Sequence, residues 1–160
     1  MKPIFFVSML FVILLSACDS PQAPTATTTP DPNTVSKPLI TVYKSATCSC
    51  CNRWVSHLEK NGFTVKAIDV PNVTPYKQKS GVTPALASCH TAFVNGYVVE
   101  GHVPASDIKR MLKQKPDIKG LSVPAMPVGT PGMEMGDQKD PYDVVSFDKN
   151  GKTKVYKSYR

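Results

Sequence analysis

The chain is short of acid, of aromatics and of long apolar runs. Its 160 residues carry 12 Asp and Glu against 19 Lys and Arg, a formal net charge of +7, and aromatics make up only 8% with a single tryptophan. The basic residues are not interleaved with aromatics along a stripe, and no nucleic-acid-binding motif is present, which argues against nucleic acid as a partner. The excess charge is scattered over Lys77 and Lys79, over Lys109, Arg110, Lys113 and Lys115, and over the C-terminal KTKVYKSYR. That pattern suits a solvated basic surface near an anionic membrane. The main apolar run, IFFVSMLFVILL at 4–15, is too short to span a bilayer comfortably. Residues 19–37, DSPQAPTATTTPDPNTVSK, almost lack large apolar side chains and cannot pack a core. No internal repeat is visible. No paired acid and base stands out either, so a conventional hydrolytic or cofactor-dependent enzyme is not supported.

What is present begins with a leader. Met1-Lys2 supplies a positive start, the apolar run follows, and LSAC ends it at Cys18. LSAC resembles the lipobox of bacterial lipoproteins, in which the cysteine is lipidated and becomes the new N-terminus. The alternative is an ordinary signal peptide cleaved nearby. The expectation is therefore a lipoprotein signal peptide at 1–17, a lipid-anchored Cys18 with a flexible tether over 18–37, and a folded domain at 38–160. Such a domain works outside the cytoplasm. Thiols persist there when oxidised in pairs, bound to metal, or kept reduced by a partner.

Within the domain, LITVYKSA (39–46) alternates as a strand. A helix follows over CCNRWVSHLEKNG, with Cys51, Val55 and Leu58 on one face; His57 lies off that face and reads as solvated. FTVKAIDV (63–70) is a second strand, and TPYKQKSG (74–81) a helical turn. CHTAFVNGYVVEGHV (89–103) is a hairpin turning at Asn95-Gly96. PASDIKRMLKQ (104–114) is a helix with Pro at its start. A Pro/Gly/Met loop and a last hairpin near Asn150-Gly151 close the chain. This order, with cysteines where the first strand meets the first helix, is the layout of the thioredoxin fold. It predicts an α/β domain with a central four-stranded mixed sheet, flanking helices, and a C-terminal Met-containing loop and β-hairpin.

The chemistry concentrates in KSATCSCCNRW (44–54), which holds Cys48, Cys50 and Cys51, three of the chain's five cysteines. Cys48 and Cys51 form a C-x-x-C at the thioredoxin position. Unpaired N–H groups and the helix dipole stabilise thiolates there, and Lys44 and Arg53 stand close in sequence. In that fold, the loop before the final hairpin faces the helix-borne cysteines. The proline thioredoxins carry in that loop falls at Ser88 here, beside Cys89, and the nearest proline is Pro84. The Asn95-Gly96 turn pairs Val94 with Tyr97 and, by extension, Cys89 with His102, side chains on one face about 4.5–5.5 Å apart. His90 should face the other way if the strand has begun there. Met126, Met133 and Met135 lie in the Pro/Gly loop without periodicity; they are either gap-filling side chains or soft ligands for Cu(I).

Three readings compete for these thiols. A thiol–disulfide oxidoreductase would use Cys48 and Cys51, but neighbouring thiols would trap its intermediates. Two disulfides or a zinc site would be structural, yet C-x-C-C plus one lone cysteine matches zinc spacing poorly. A soft-metal site makes adjacency useful, because thiolates bridge Cu(I) ions.

CSCC, SCHTAFVNGYVVEGHVPASDI and GLSVPAMPVGTPGMEMG together closely resemble the CopG-like copper-resistance family, small bacterial proteins with a C-x-C-C motif. The resemblance covers about 39–158. It implies a thioredoxin-like fold, a periplasmic location, and copper held by Cys48, Cys50, Cys51 and Cys89, as a multi-copper cluster that interconverts Cu(I) and Cu(II). His102, His90, Met126, Met133 and Met135 are its candidate additional ligands. Copper ions, other periplasmic copper-handling proteins and, through the lipid anchor, the membrane are the implied partners.

Overall fold

Strand β1, Leu39–Lys44, alternates inward and outward side chains, with Ile40 and Val42 fully buried. It runs into α1, Ser49–Lys60, whose N-cap is Cys48. A computed structural model of the chain describes residues 37–160; the leader, Cys18 and nearly all of the tether lie outside the described residues. Next come β2 (Thr64–Asp69), α2 (Thr74–Lys79), a single 3-10 turn at Pro84–Leu86, β3 (Thr91–Val94) and β4 (Tyr97–Glu100). Helix α3 (Ala105–Gln114), β5 (Gly120–Ser122), β6 (Tyr142–Phe147) and β7 (Thr153–Tyr159) complete the order. No described helix is long and apolar enough to cross a membrane.

One mixed sheet runs β2-β1-β3-β4-β5-β6-β7. The expected four strands are its first half, β2-β1-β3-β4, so the four-stranded prediction is corrected to seven strands. The reason is β5. Three residues, Gly-Leu-Ser, pair parallel with β4 and antiparallel with β6, which welds the last hairpin onto the same sheet. So short a segment has no periodicity to read.

The Asn95-Gly96 turn sets the β3–β4 register, with φ of 46° and 84° at its two central residues. Val94 pairs with Tyr97, Ala92 with Val99 and Thr91 with Glu100, as the turn spacing predicts. On β4, Val98 and Val99 face opposite sides. Val99 joins the larger core with Trp54, Leu58, Ile108, Met111 and Leu121. Val98 packs with Val82, Leu86 and Phe147 on the other face. Both faces of the central sheet are therefore covered, which holds the β1–α1 and β3–β4 ends rigidly beside each other.

His57 is half-buried, not solvated. Its Nε2 accepts the Ala105 N–H at 3.1 Å. Pro104, the N-cap of α3, makes no side-chain cap bond, so α1 supplies an acceptor across the fold. Burial, reinforced by Lys60 and opposed by Glu134, lowers the His57 pKa. The unfolded chain therefore binds this proton first as pH falls. The neutral ring's contribution is complete above about 6.5 and is lost as pH falls toward the folded pKa. His57→Gln, which keeps an acceptor for Ala105, is expected to flatten part of the stability loss between about pH 7 and pH 5. Urea midpoints at both pH values test it, and an unchanged slope removes His57 as a contributor.

Candidate metal centre

The triplet sits on the first turn of α1, where Cys48 as N-cap has extended backbone (φ −79°, ψ 93°). Cys51 is fully buried, while Cys50 is partly exposed. Cys48 and Cys51 are joined by a disulfide with Cα atoms 5.3 Å apart, and Cys50 and Cys89 are free thiols. Cys50 Sγ lies 3.3 Å from Cys48 Sγ, and Cys89 Sγ lies 3.5 Å from Cys51 Sγ. The four sulfurs all lie within 4.8 Å of one another.

A buried clamp holds Cys89 in place. Glu100, fully buried at the end of β4, accepts the Ser88 N–H at 2.6 Å and the Thr91 hydroxyl at 2.7 Å. Lys77 of α2 pairs with it at 2.5 Å and also donates to Thr91 Oγ1 at 3.2 Å. Ser88 Oγ donates to the Ala125 carbonyl. No cis peptide bond occurs among the described residues, so Pro84 is trans. Loop shape here is set by Glu100 and Lys77, two charged residues with no sequence motif. An acidic residue at the end of an otherwise apolar strand was the only hint.

The hairpin extrapolation places His102 correctly: its Nε2 is 3.0 Å from Cys89 Sγ. His90 differs from expectation. Because β3 starts at Thr91, His90 is not bound by strand alternation, and its Nδ1 comes to 3.3 Å from Cys89 Sγ. Burial holds the His90 pKa well below its ordinary value, with His102 and Lys77 adding to the effect. Burial also lowers His102, opposed by its bond to the Pro131 carbonyl. Burial, and then the neighbouring Cys50, push the Cys89 thiol up to about 12. A metal ion bound there has to displace that proton.

Lys44 and Arg53 are committed elsewhere. Lys44 pairs with Asp69 at 2.5 Å. Arg53 Nε donates to the Gly132 carbonyl at 2.8 Å. The Pro131–Met133 segment is a strap pressed onto α1. A Cβ at Gly132 would lie 2.7 Å from the Cys50 carbonyl oxygen and 2.8 Å from the Trp54 nitrogen, and φ is +86°. Only glycine permits that approach. Trp54 Nε1 donates to the Val103 carbonyl at 2.9 Å, tying α1 to the segment after His102. Met133 is half-buried in the strap, whereas Met126 and Met135 are exposed at 49% and 61%.

Comparison with known proteins agrees with this geometry. A family model described as a protein of unknown function, DUF411, matches residues 86–133, which include Cys89, both histidines and the strap. No curated protein matches the chain. A solved structure named copper resistance protein CopG, form 2, is 42% identical, with a TM-score of 0.75, covering 78% of this chain and 100% of that one. Its form 1 counterpart is 44% identical, with a TM-score of 0.74, covering 78% and 98%. With this identity extending over essentially the whole of those proteins, the chain belongs to the CopG family of copper resistance proteins.

Proposed function

We propose that this chain is an extracytoplasmic copper-binding protein of copper resistance, in which Cys48, Cys50, Cys51 and Cys89 hold Cu(I) as a multi-copper thiolate cluster. The carrying observation is the meeting of four sulfurs within 4.8 Å of one another. Thiolates bridge monovalent copper, so sulfurs this close share several ions instead of competing for one. The domain is read as thioredoxin-like, built on strands β2-β1-β3-β4 with α1 and α3, and extended by the Met loop and the β6–β7 hairpin. Thioethers of Met126, Met133 and Met135 would add soft donors around the cluster. Lipidated Cys18 and the 18–37 tether would anchor the domain at the periplasmic face of a membrane, within reach of other periplasmic copper-handling proteins.

The disulfide couples metal and thiol chemistry. Two electrons and two protons from a dithiol reductant convert the Cys48–Cys51 bond into two thiols, whose protons Cu(I) would then displace. Two Cu(I) ions could supply the same two electrons instead: each would give one to the disulfide and leave as Cu(II), with two protons completing the thiols.

The same disulfide at the N-terminus of α1 favours a second reading, a thiol–disulfide oxidoreductase using Cys48 and Cys51. Cu(I) titration of the fully reduced chain without oxygen, against a chromophoric Cu(I) chelator, separates the two. More than one tightly held Cu(I) per chain is expected. No more than one weakly held copper, together with undiminished reduction of a disulfide substrate, would sink the copper reading.

A further inference from the structure

The outward side of α3 and the outermost strand β7 form one basic surface. On α3, Lys109 and Lys113 are exposed and Arg110 is half-buried. On β7, Lys154 pairs with Ser146 and Lys157 with Val144. Val144 packs into the same core as Ile108 and Met111 of α3, and Ser146, two residues on, shares its face. Directly paired residues point the same way, so both lysines stand on the side that α3 covers. Arg110 ties the two elements together. Its guanidinium donates to the Tyr156 carbonyl at 3.3 Å and lies 4.1 Å from the centroid of the Tyr156 ring. The Tyr156 and Tyr159 hydroxyls reach back to α3, at Gln114 and Asp107. Lys157 Nζ lies 4.9 Å from the centroid of the Tyr159 ring.

Lys109, Arg110, Lys113, Lys154 and Lys157 thus flank Tyr156 and Tyr159. Among the described residues, Arg110 alone of these cations has a carboxylate partner, Asp107 at 3.1 Å. Asp107 is the one acid of α3 and is buried, and β7 has none. Like charges gathered without partners repel, so the arrangement favours an anionic counterpart. The residue types say which kind. Arginine forks match single carboxylates or phosphates two bonds at a time. The cations without an acidic partner here are all lysines, compact point charges on flexible stems. They suit a diffuse sheet of negative charge. Tyrosine rings and lysine stems also settle readily in a headgroup layer, with the apolar body inward and the polar end in water.

We propose that the α3–β7 surface is a docking face for anionic lipid, which fixes how the domain lies on a bilayer. This rests on the membrane-proximal reading above and not on copper. A single lipid chain gives marginal membrane binding and sets no orientation; a basic surface supplies the second signal and the orientation together.

Lysine footprinting of the full chain tests this. The chain is mixed with vesicles of phosphatidylcholine alone, or with about a third phosphatidylglycerol, and labelled with an amine-reactive reagent read residue by residue by mass spectrometry. Whatever the N-terminal segment contributes is common to both. Lys109, Lys113, Lys154 and Lys157 should label at least about fivefold more slowly on the anionic vesicles, the attraction that one lysine gains near such a surface. Lys66 of β2, paired with Thr41, and Lys79 of α2, beside Thr41 and Phe93, stand on the opposite face and should change less than about twofold. Salt at about 0.5 M should restore labelling. The combined variant Lys109→Glu, Lys113→Glu and Lys154→Glu, with its fold checked by circular dichroism, should lose the protection of Lys157; the footprint of the unaltered chain decides if that variant does not fold. Equal labelling in the two kinds of vesicle, or equal slowing on both faces, overturns the proposal. Slowing by soluble polyglutamate but not by anionic vesicles would assign the face to an acidic protein and overturn it as well. No copper is present, so this result and the Cu(I) titration can each fail without the other.

Discussion

Glu100→Gln is expected to destabilise the domain by about 3–5 kcal/mol, the cost of stranding one partner of a buried ion pair. Glu100 is fully buried and the Lys77 side chain is 10% exposed, so the lysine ammonium left behind has little water to turn to. Glutamine can still accept from Ser88, so the loss isolates the charge. The double variant Lys77→Met with Glu100→Leu should cost less than the sum of its single changes, because each single change strands a buried charge and the double variant strands none. Urea denaturation of Glu100→Gln, the double variant, its two single variants and the wild type measures this. Costs below about 1 kcal/mol that add simply would show that the pair is not energetically buried. The same variants bear on function, because Glu100 holds the Ser88 N–H and so positions Cys89.

Cys89→Ser should remove most of the copper held by the reduced chain. Loss of a residue that merely orients a metal ligand costs about 10–100-fold in affinity, so loss of the ligand itself is expected to cost more than about a hundredfold. The hydroxyl is nearly isosteric and only partly buried, so stability should change little. Cys48 and Cys51 keep their C-x-x-C, so disulfide exchange should persist or rise once the neighbouring thiol is gone. Copper per chain and disulfide-substrate reduction, measured on one preparation, give the answer. Unchanged copper stoichiometry would mean that Cys89 lies outside the cluster, despite its 3.5 Å approach to Cys51 Sγ.

The sequence by itself determined the parts whose signals are local. Alternation marked β1, and the Asn95-Gly96 turn specified a register that carries Cys89 to His102. The C-x-C-C spacing put three thiols on one helix turn, because successive residues at a helix start cannot be far apart. Tertiary structure alone decided the rest. His90 reaches the sulfur because β3 starts at Thr91, two residues after the hairpin start at Cys89 that the sequence suggests. His57 caps a helix far along the chain because Pro104 offers no side-chain acceptor. Glycine at 132 lets the strap lie on α1, a close approach between segments about eighty residues apart that no periodicity encodes. The loop bearing Cys89 is set by Lys77 and Glu100, which meet only when α2 folds over the end of β4. Local pattern reports which face a residue takes within its own element. Which elements face each other is settled by burying both sides of the sheet at once, and the convergence of four sulfurs and two imidazoles follows from that packing.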